Sequence, residues 1–353
     1  MFSPINNINF KGYDARPMRT IVMRNADTFD LSTAAREVRQ IGINHGFSVI
    51  LEDEGNMRPW IQDVVYFTKD KMLINRAEGK SHSTLCENYG LAKERIPERR
   101  FIAGGNLYLI NNDGKEKILV GKSEKIKNAQ KLFPDREIIQ IPQADFHIDL
   151  FIRPLKDNNI LVADDNMTLK ILKNAKESLE TYMKENPGGN HNDSYKKLNK
   201  LICDMEMARN KIFYSDTNEV ISKLKEEGFN VIKTPGRIYK GRKTFFGNID
   251  SLANKLNYIN AIATIDDSGE IIYISNKSNL LNELEIDDEL ANKIGLNFEE
   301  NFKKSVADYI NPENIYFIEG GIDIDKKYHS NIPEILEDLS GGIHCLCAEI
   351  PKE

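Results

Sequence analysis

Short apolar runs recur along the chain, separated by polar stretches. They include Thr20-Ile21-Val22-Met23, Phe47-Ser48-Val49-Ile50-Leu51, Val64-Val65-Tyr66-Phe67, Leu107-Tyr108-Leu109-Ile110, Ile118-Leu119-Val120 and Ile138-Ile139-Gln140-Ile141. Later come Ile160-Leu161-Val162, Asn230-Val231-Ile232, Ala261-Ile262-Ala263-Thr264, Ile271-Ile272-Tyr273-Ile274 and Ile315-Tyr316-Phe317-Ile318. Gly, Asn, Asp or Pro bound most of these runs, as turn residues bound strands. A further apolar run, 343–350, predicts a last strand near the end of the chain. Between many of the runs lie segments of helical period, such as 32–45 and 217–227. Strands alternating with helices predict an α/β fold. No linker rich in Pro, Gly or Ser interrupts the pattern, so one domain is expected from residue 20 to 353, after a tail of residues 1–19.

One stretch departs from the alternation. Leu172, Ala175, Leu179 and Tyr182 form an apolar stripe at helical spacing, and Tyr195, Leu198, Ile202, Met205 and Arg209 form another. Pro187-Gly188-Gly189-Asn190 supplies a turn between them. The pattern predicts a helical hairpin inserted at about 167–214. Its two readings are packing against the sheet modules and a lid over a cleft.

Composition narrows the class. The chain has 353 residues, 40% hydrophobic and 29% charged, with a formal net charge of -6. That length allows a large packed core. The charge lacks the basic excess of a nucleic-acid binder. Residues 1–11 are polar, without the apolar stretch of a secretory signal. No run approaches the ~20 apolar residues of a membrane span. The four cysteines, Cys86, Cys203, Cys345 and Cys347, show no CxxC spacing and suit a reducing compartment. A cytoplasmic protein without nucleic-acid or membrane partners is expected; the sequence leaves the oligomeric state open.

Candidate chemistry lies in three places. Gly341-Gly342-Ile343-His344-Cys345, near the end of the chain, supplies a turn that delivers a thiol. Cys345 and Cys347, two residues apart, would share one face of a strand. They are either two buried small hydrophobes or a nucleophile with a packed neighbour. His147 and Asp149 have the same i, i+2 spacing in an extended segment. They are either a structural pair or an acid/base beside an anionic ligand for a cation. Trp60, the only tryptophan, precedes Asp63 at the entry to a strand. Trp60 could pack, or flank an alkyl-guanidinium stem. Asp63 could cap a turn, or grip two guanidinium N–H groups. The ligand spacings of a zinc deaminase are absent, so no metal is expected. A thiol, an imidazole and two carboxylates are the parts needed to attack a guanidinium carbon.

Together these segments resemble the guanidino-modifying, or pentein, enzymes: arginine and agmatine deiminases, amidinotransferases and peptidylarginine deiminases. Trp60-Ile61-Gln62-Asp63 is similar to the W-x-Q-D element of the peptidylarginine deiminases, His147-Ile148-Asp149 to H-x-D, and Gly342-Ile343-His344-Cys345 to G-x-H-C. The order along the chain is also that of the family. The resemblance implies a five-bladed α/β propeller of ββαβ modules and no cofactor. It implies Cys345 as nucleophile, His147 as acid/base, Asp63 and Asp149 as guanidinium clamps, and Trp60 as a wall along the substrate stem. Asn260 is matched to a family asparagine after the fourth module. One departure bears on substrate. The E-G-G element of the free-arginine and agmatine enzymes is Ala103-Gly104-Gly105-Asn106 here, without the acid. The expected reaction is deimination of arginine within a peptide or protein. An amidinotransferase, a deiminase of a small guanidino compound and a noncatalytic binding protein are the alternatives. Arg76, Arg99 and Arg153 are the candidate contacts to a substrate backbone.

Overall fold

The computed structural model of the chain describes residues 18–24, 32–52, 60–68, 71–76, 83–112, 115–189, 191–211, 216–243, 249–319 and 342–351. Of the residues quoted above, Gly341, Asn190 and 212–214 lie outside them, as do residues 1–17 of the expected tail.

Six sheets form among the described residues, and five of them share one plan. A first strand pairs antiparallel with a second, and the second pairs parallel with a third. The parallel step needs a crossover, which helices supply. Val65–Phe67, Lys71–Asn75 and Ala92–Ile96 form one such sheet around helix Ser83–Tyr89. Leu107–Asn112, Lys115–Gly121 and Glu137–Ile141 form the next around Ile126–Leu132. Ile152–Pro154, Asn159–Ala163 and Asn230–Thr234 form a third. Ile262–Ile265, Ile271–Asn276 and Ile315–Ile318 form a fourth. The remaining sheet joins the two ends of the chain. Cys347–Pro351 pairs antiparallel with Met18–Arg24, Met23 facing Cys347, and Met18–Arg24 pairs parallel with Ser48–Glu52 across helix Ser32–His45. The sixth sheet is a hairpin, Arg237–Lys243 with Ile249–Asn257.

The segment at 167–214 forms two long helices, Asp165–Glu185 and Asn192–Lys211. Asp164 caps the first, its carboxylate accepting the N–H groups of Asn166 and Met167. Both apolar stripes face inward. Leu172, Leu179 and Leu198 are fully buried in the cluster that also holds Leu161, Tyr239 and Phe302. Each such leucine contributes about 1.5–3 kcal/mol of burial. Packing therefore accounts for the stripes. Among the described residues, no helix is long and apolar enough to cross a membrane.

The five like sheets share a further detail that positions the chemistry. A tight bend precedes each first strand. Four are 3-10 turns: Ile61–Asp63, Gly104–Asn106, Ile148–Leu150 and His344–Leu346. The fifth is the bend at 258–260. Turn 61–63 touches both 344–346 and 104–106, and 104–106 touches 148–150. Two glycines permit this approach. A Cβ on Gly104 would lie 2.6 Å from the Gln62 carbonyl oxygen, and one on Gly342 would lie 2.6 Å from Asn260 Oδ1.

Two local expectations change. Cys345 belongs to the turn His344–Leu346, and the strand begins only at Cys347. Residues 342–348 are all buried, so their apolar run cannot distinguish a turn from a strand. His147 is extended, with φ -123 and ψ 144, but Asp149 lies in the following turn. The two therefore do not share one face of a strand.

Candidate active site

Each converging bend contributes polar side chains. Asp149 is fully buried and stands at the centre. Its Oδ2 accepts hydrogen bonds from Gln62 Nε2 at 2.7 Å and His344 Nδ1 at 2.9 Å. The Cys345 Sγ–H reaches the same oxygen at 3.5 Å. Asp149 Oδ1 has no hydrogen-bond partner among the described residues. It faces Gly105, where an added Cβ would lie 3.1 Å from it.

Asn260 holds Cys345 from a second side. Its Nδ2 donates to Sγ at 3.2 Å, and its Oδ1 accepts the Cys345 N–H at 3.2 Å. Asn257 shapes this bend. Its Oδ1 accepts the N–H groups of Ile259 at 3.0 Å and Asn260 at 3.1 Å, while its Nδ2 donates to the Leu150 carbonyl at 2.9 Å.

His147 is half-buried, and a Cβ on Gly105 would run into its Nδ1. Its backbone is set from two sides. Asn106 Oδ1 accepts the Ile148 N–H at 3.2 Å, and Gln143 Nε2 donates to the Phe146 carbonyl at 2.9 Å. Asp63 ends its turn half-buried, and its charge acts on the Cys345 thiol. Trp60 is half-buried against the cluster containing Ile343, Leu346 and Cys347, which underlies the Cys345 turn.

The electrostatics oppose each other. Burial, then the Asp149 and Asp63 charges, push the Cys345 thiol well above its ordinary range; Gly342 and Asn260 hydrogen bonds pull it down. Burial also pushes the Asp149 carboxyl up, but His344, His147 and Gln62 bring it below its usual value. The free site is thus a protonated thiol beside fixed negative charge, which suits a cation.

Cys345, Asp149 and Asn260 are brought into direct contact, with His147 across Gly105 and Asp63 within electrostatic reach. Two contacts had no role assigned from sequence: Gln62 and His344. Both lie inside the quoted W-x-Q-D and G-x-H-C elements, the only signal that could have found them. Arg153 is fully buried and pairs with Glu349 at 3.3 Å, whereas Arg76 and Arg99 are exposed. A cleft of about 900 Å³ lined by Asp165, Lys170, Arg209 and Tyr239 shares no residue with the Cys345 cluster.

No family model matches the chain, and no curated protein matches it in sequence. Solved structures do. An agmatine deiminase from C. jejuni superposes with a TM-score of 0.51 at 12% identity, over 96% of this chain and 95% of that one. SxtG, an amidinotransferase from Microseira wollei in the saxitoxin biosynthetic pathway, gives a TM-score of 0.51 at 11% identity, over 98% of both chains. The chain therefore has the fold of the guanidino-modifying enzymes, the superfamily that the sequence segments resemble.

Proposed function

We propose that this protein is a guanidino-group hydrolase working through a covalent Cys345 intermediate without a cofactor. One observation carries the reading: a buried thiol, Cys345, contacts Asp149 and Asn260 at the meeting of five bends. In this reading Asp63 and Asp149 grip the guanidinium, and Trp60 lines its alkyl stem. The bound cation lowers the cost of forming the thiolate, whose proton passes to His147. Sγ attacks the guanidinium carbon and forms a C–S bond. His147 gives a proton to the departing nitrogen, which leaves as ammonia. Water, losing a proton to His147, then attacks the same carbon. The C–S bond breaks, the hydroxyl proton passes to the departing sulfur, and a ureido product and the free thiol remain. Residues 20–353 act as one catalytic domain, and the five like sheets are read as blades of a five-bladed propeller.

For the substrate, we propose peptidyl-arginine, converted to peptidyl-citrulline, because Ala103 removes the acid expected of the small-substrate enzymes. A second reading, transfer of the amidino group from Cys345 to an amine, is favoured by the fold shared with an amidinotransferase. A deiminase of a small guanidino compound is favoured by the fold shared with an agmatine deiminase.

Mass spectrometry tests these readings. The wild type and Cys345→Ala are incubated with arginine peptides, free arginine and agmatine, with and without a small amine acceptor. Cys345-dependent ureido product with ammonia release supports hydrolysis, and the compound converted identifies the substrate class. Amidino transfer to the acceptor would replace hydrolysis with the second reading. No reaction and no binding of any compound overturns both.

A further inference from the structure

We infer that His344 is a positioning residue for Asp149: with Gln62 it fixes one carboxylate oxygen and leaves the other for the substrate. The inference rests on the guanidinium reading above.

Four observations carry it. First, the two Asp149 oxygens are unequal. Oδ2 is held by Gln62 and His344 and touched by Sγ, whereas Oδ1 is buried and has no hydrogen-bond partner among the described residues. Buried carboxylate oxygens are ordinarily satisfied, so this one invites a donor. Second, Oδ1 lies close to Gly105 and the His147 ring, since one Cβ position on Gly105 would meet both. A guanidinium N–H donating to Oδ1 would therefore lie near the imidazole that handles the proton. Third, His344 is itself fixed. It is 8% exposed, its ring lies 5.8 Å from that of Tyr108, and its Nε2 is 4.0 Å from Glu349 Oε1. Because the Asp149 oxygen can only accept, His344 Nδ1 carries the shared hydrogen. Rotation of the Asp149 carboxylate would break that bond and the Gln62 bond together.

Fourth, the surrounding charges make His344 decisive for ionisation. Burial, the largest influence on Asp149, favours the neutral acid. The His344 hydrogen bond and charge oppose it most strongly, followed by the His147 charge and the Gln62 hydrogen bond. The other titratable groups facing Asp149 are Asp145, Cys345 and Cys347, and Glu349 faces His344 from the last strand. The carboxyls disfavour a charged Asp149, and from the thiols it receives only the long Cys345 S–H contact at 3.5 Å. Without His344, Asp149 would stay protonated to higher pH and lose its grip on a cation.

His344→Leu and His344→Asn test this, with agmatine and N-acetyl-arginine amide as probes. Asparagine can replace the Nδ1–H donor without the charge. His344→Leu should raise KM about 10- to 100-fold, the loss expected for a hydrogen bond to a charged group, with a smaller effect on kcat. The acid limb of kcat/KM should move to higher pH. His344→Asn should recover most of KM and only part of the pH shift. In a Cys345→Ala background, where chemistry is absent, His344→Leu should weaken probe binding by the same factor. Unchanged KM and acid limb in a folded His344→Leu protein would overturn the positioning role while leaving the guanidinium reading intact. Should His344→Leu not fold, an unshifted acid limb in His344→Asn would overturn it. A wild type that neither binds nor converts either probe would overturn the guanidinium reading, and this inference with it.

Discussion

Asn260 grips Cys345 through both ends of its amide: Nδ2 lies 3.2 Å from Sγ, and Oδ1 accepts the Cys345 N–H at 3.2 Å. The same Nδ2 also donates to the Asp149 carbonyl at 3.3 Å. One fully buried side chain thus sets the spacing between thiol and carboxylate. Asn260→Leu keeps the bulk and strands these groups, at about 1–3 kcal/mol for each buried group left unpaired. Turnover should fall, and chemical denaturation should show the lost stability. Asn260→Asp instead places a further negative charge on the thiol. Its alkylation by a neutral electrophile should then need higher pH than in the wild type.

The two thiols of the last segment should separate cleanly. Cys345→Ala should abolish turnover while leaving the melting temperature near that of the wild type. Cys347 is buried in the cluster around Met23 and Ile343, and its Sγ–H donates to the His344 carbonyl at 3.3 Å. Cys347→Ala should cost about 1 kcal/mol of stability, as loss of a small buried group does, and retain turnover. Inactivity of Cys347→Ala with an active Cys345→Ala would reverse the assignment.

Charge on the reagent should control Cys345 reactivity. Burial and the Asp149 and Asp63 charges hold the thiol protonated past the ordinary range. The nucleophile is the thiolate, so alkylation by 2-chloroacetamide should be slow at neutral pH and rise steadily into alkaline solution. 2-Chloroacetamidine has the same shape but carries the positive charge that this site favours. It should label Cys345 much faster at neutral pH, and Asp149→Asn should narrow the difference, with Asp63 retaining part of it. Peptide mapping of the labelled protein measures both rates.

Gly105 is a close-approach position. An added Cβ would meet the His147 ring and lie 3.1 Å from Asp149 Oδ1. His147 is only half-buried, so the ring can move aside without unfolding the chain. Gly105→Ala should lower kcat by about 100-fold, the scale of a 1 Å misplacement, with a small change in melting temperature. Steady-state kinetics beside a thermal melt check this.

The loop that carries His147 is anchored by a buried ion pair. Arg237, 1% exposed, donates to Asp145 Oδ2, and Asp145 Oδ1 accepts the Phe146 N–H at 2.7 Å. Asp145→Asn would leave the guanidinium buried without its counter-charge, at about 3–5 kcal/mol. Urea denaturation should show that loss. Asp145→Leu combined with Arg237→Met should be more stable than Asp145→Asn alone, because the guanidinium is then removed together with its hydrogen-bonded carboxylate.

The strands legible in the sequence are those with an apolar run, such as Ile118-Leu119-Val120 and Ile271-Ile272-Tyr273-Ile274. Ala92–Ile96 carries no such run, and only Ile96 in it is buried. It forms because Lys71–Asn75 offers a parallel partner. Ile152–Pro154 contains a buried charge, Arg153, which the pattern rejects and which Glu349 from the far end of the chain stabilises. The hairpin Arg237–Lys243 with Ile249–Asn257 is polar and irregular in register. Its pairing is decided by contacts outside its own period.

The sequence by itself determined the α/β class, most of the sheet-forming runs, the helical pair near 165–211 and the residue types of the site, because each depends on side-chain chemistry and local periodicity. Only the tertiary structure decided how those residues meet. Gln62, Asp149, Asn260 and His344 are far apart in sequence and touch because four short bends converge, held close by glycines that leave no room for a Cβ. Which Asp149 oxygen is tied and which is open depends on those contacts, and no pattern along a single chain encodes a direction in space.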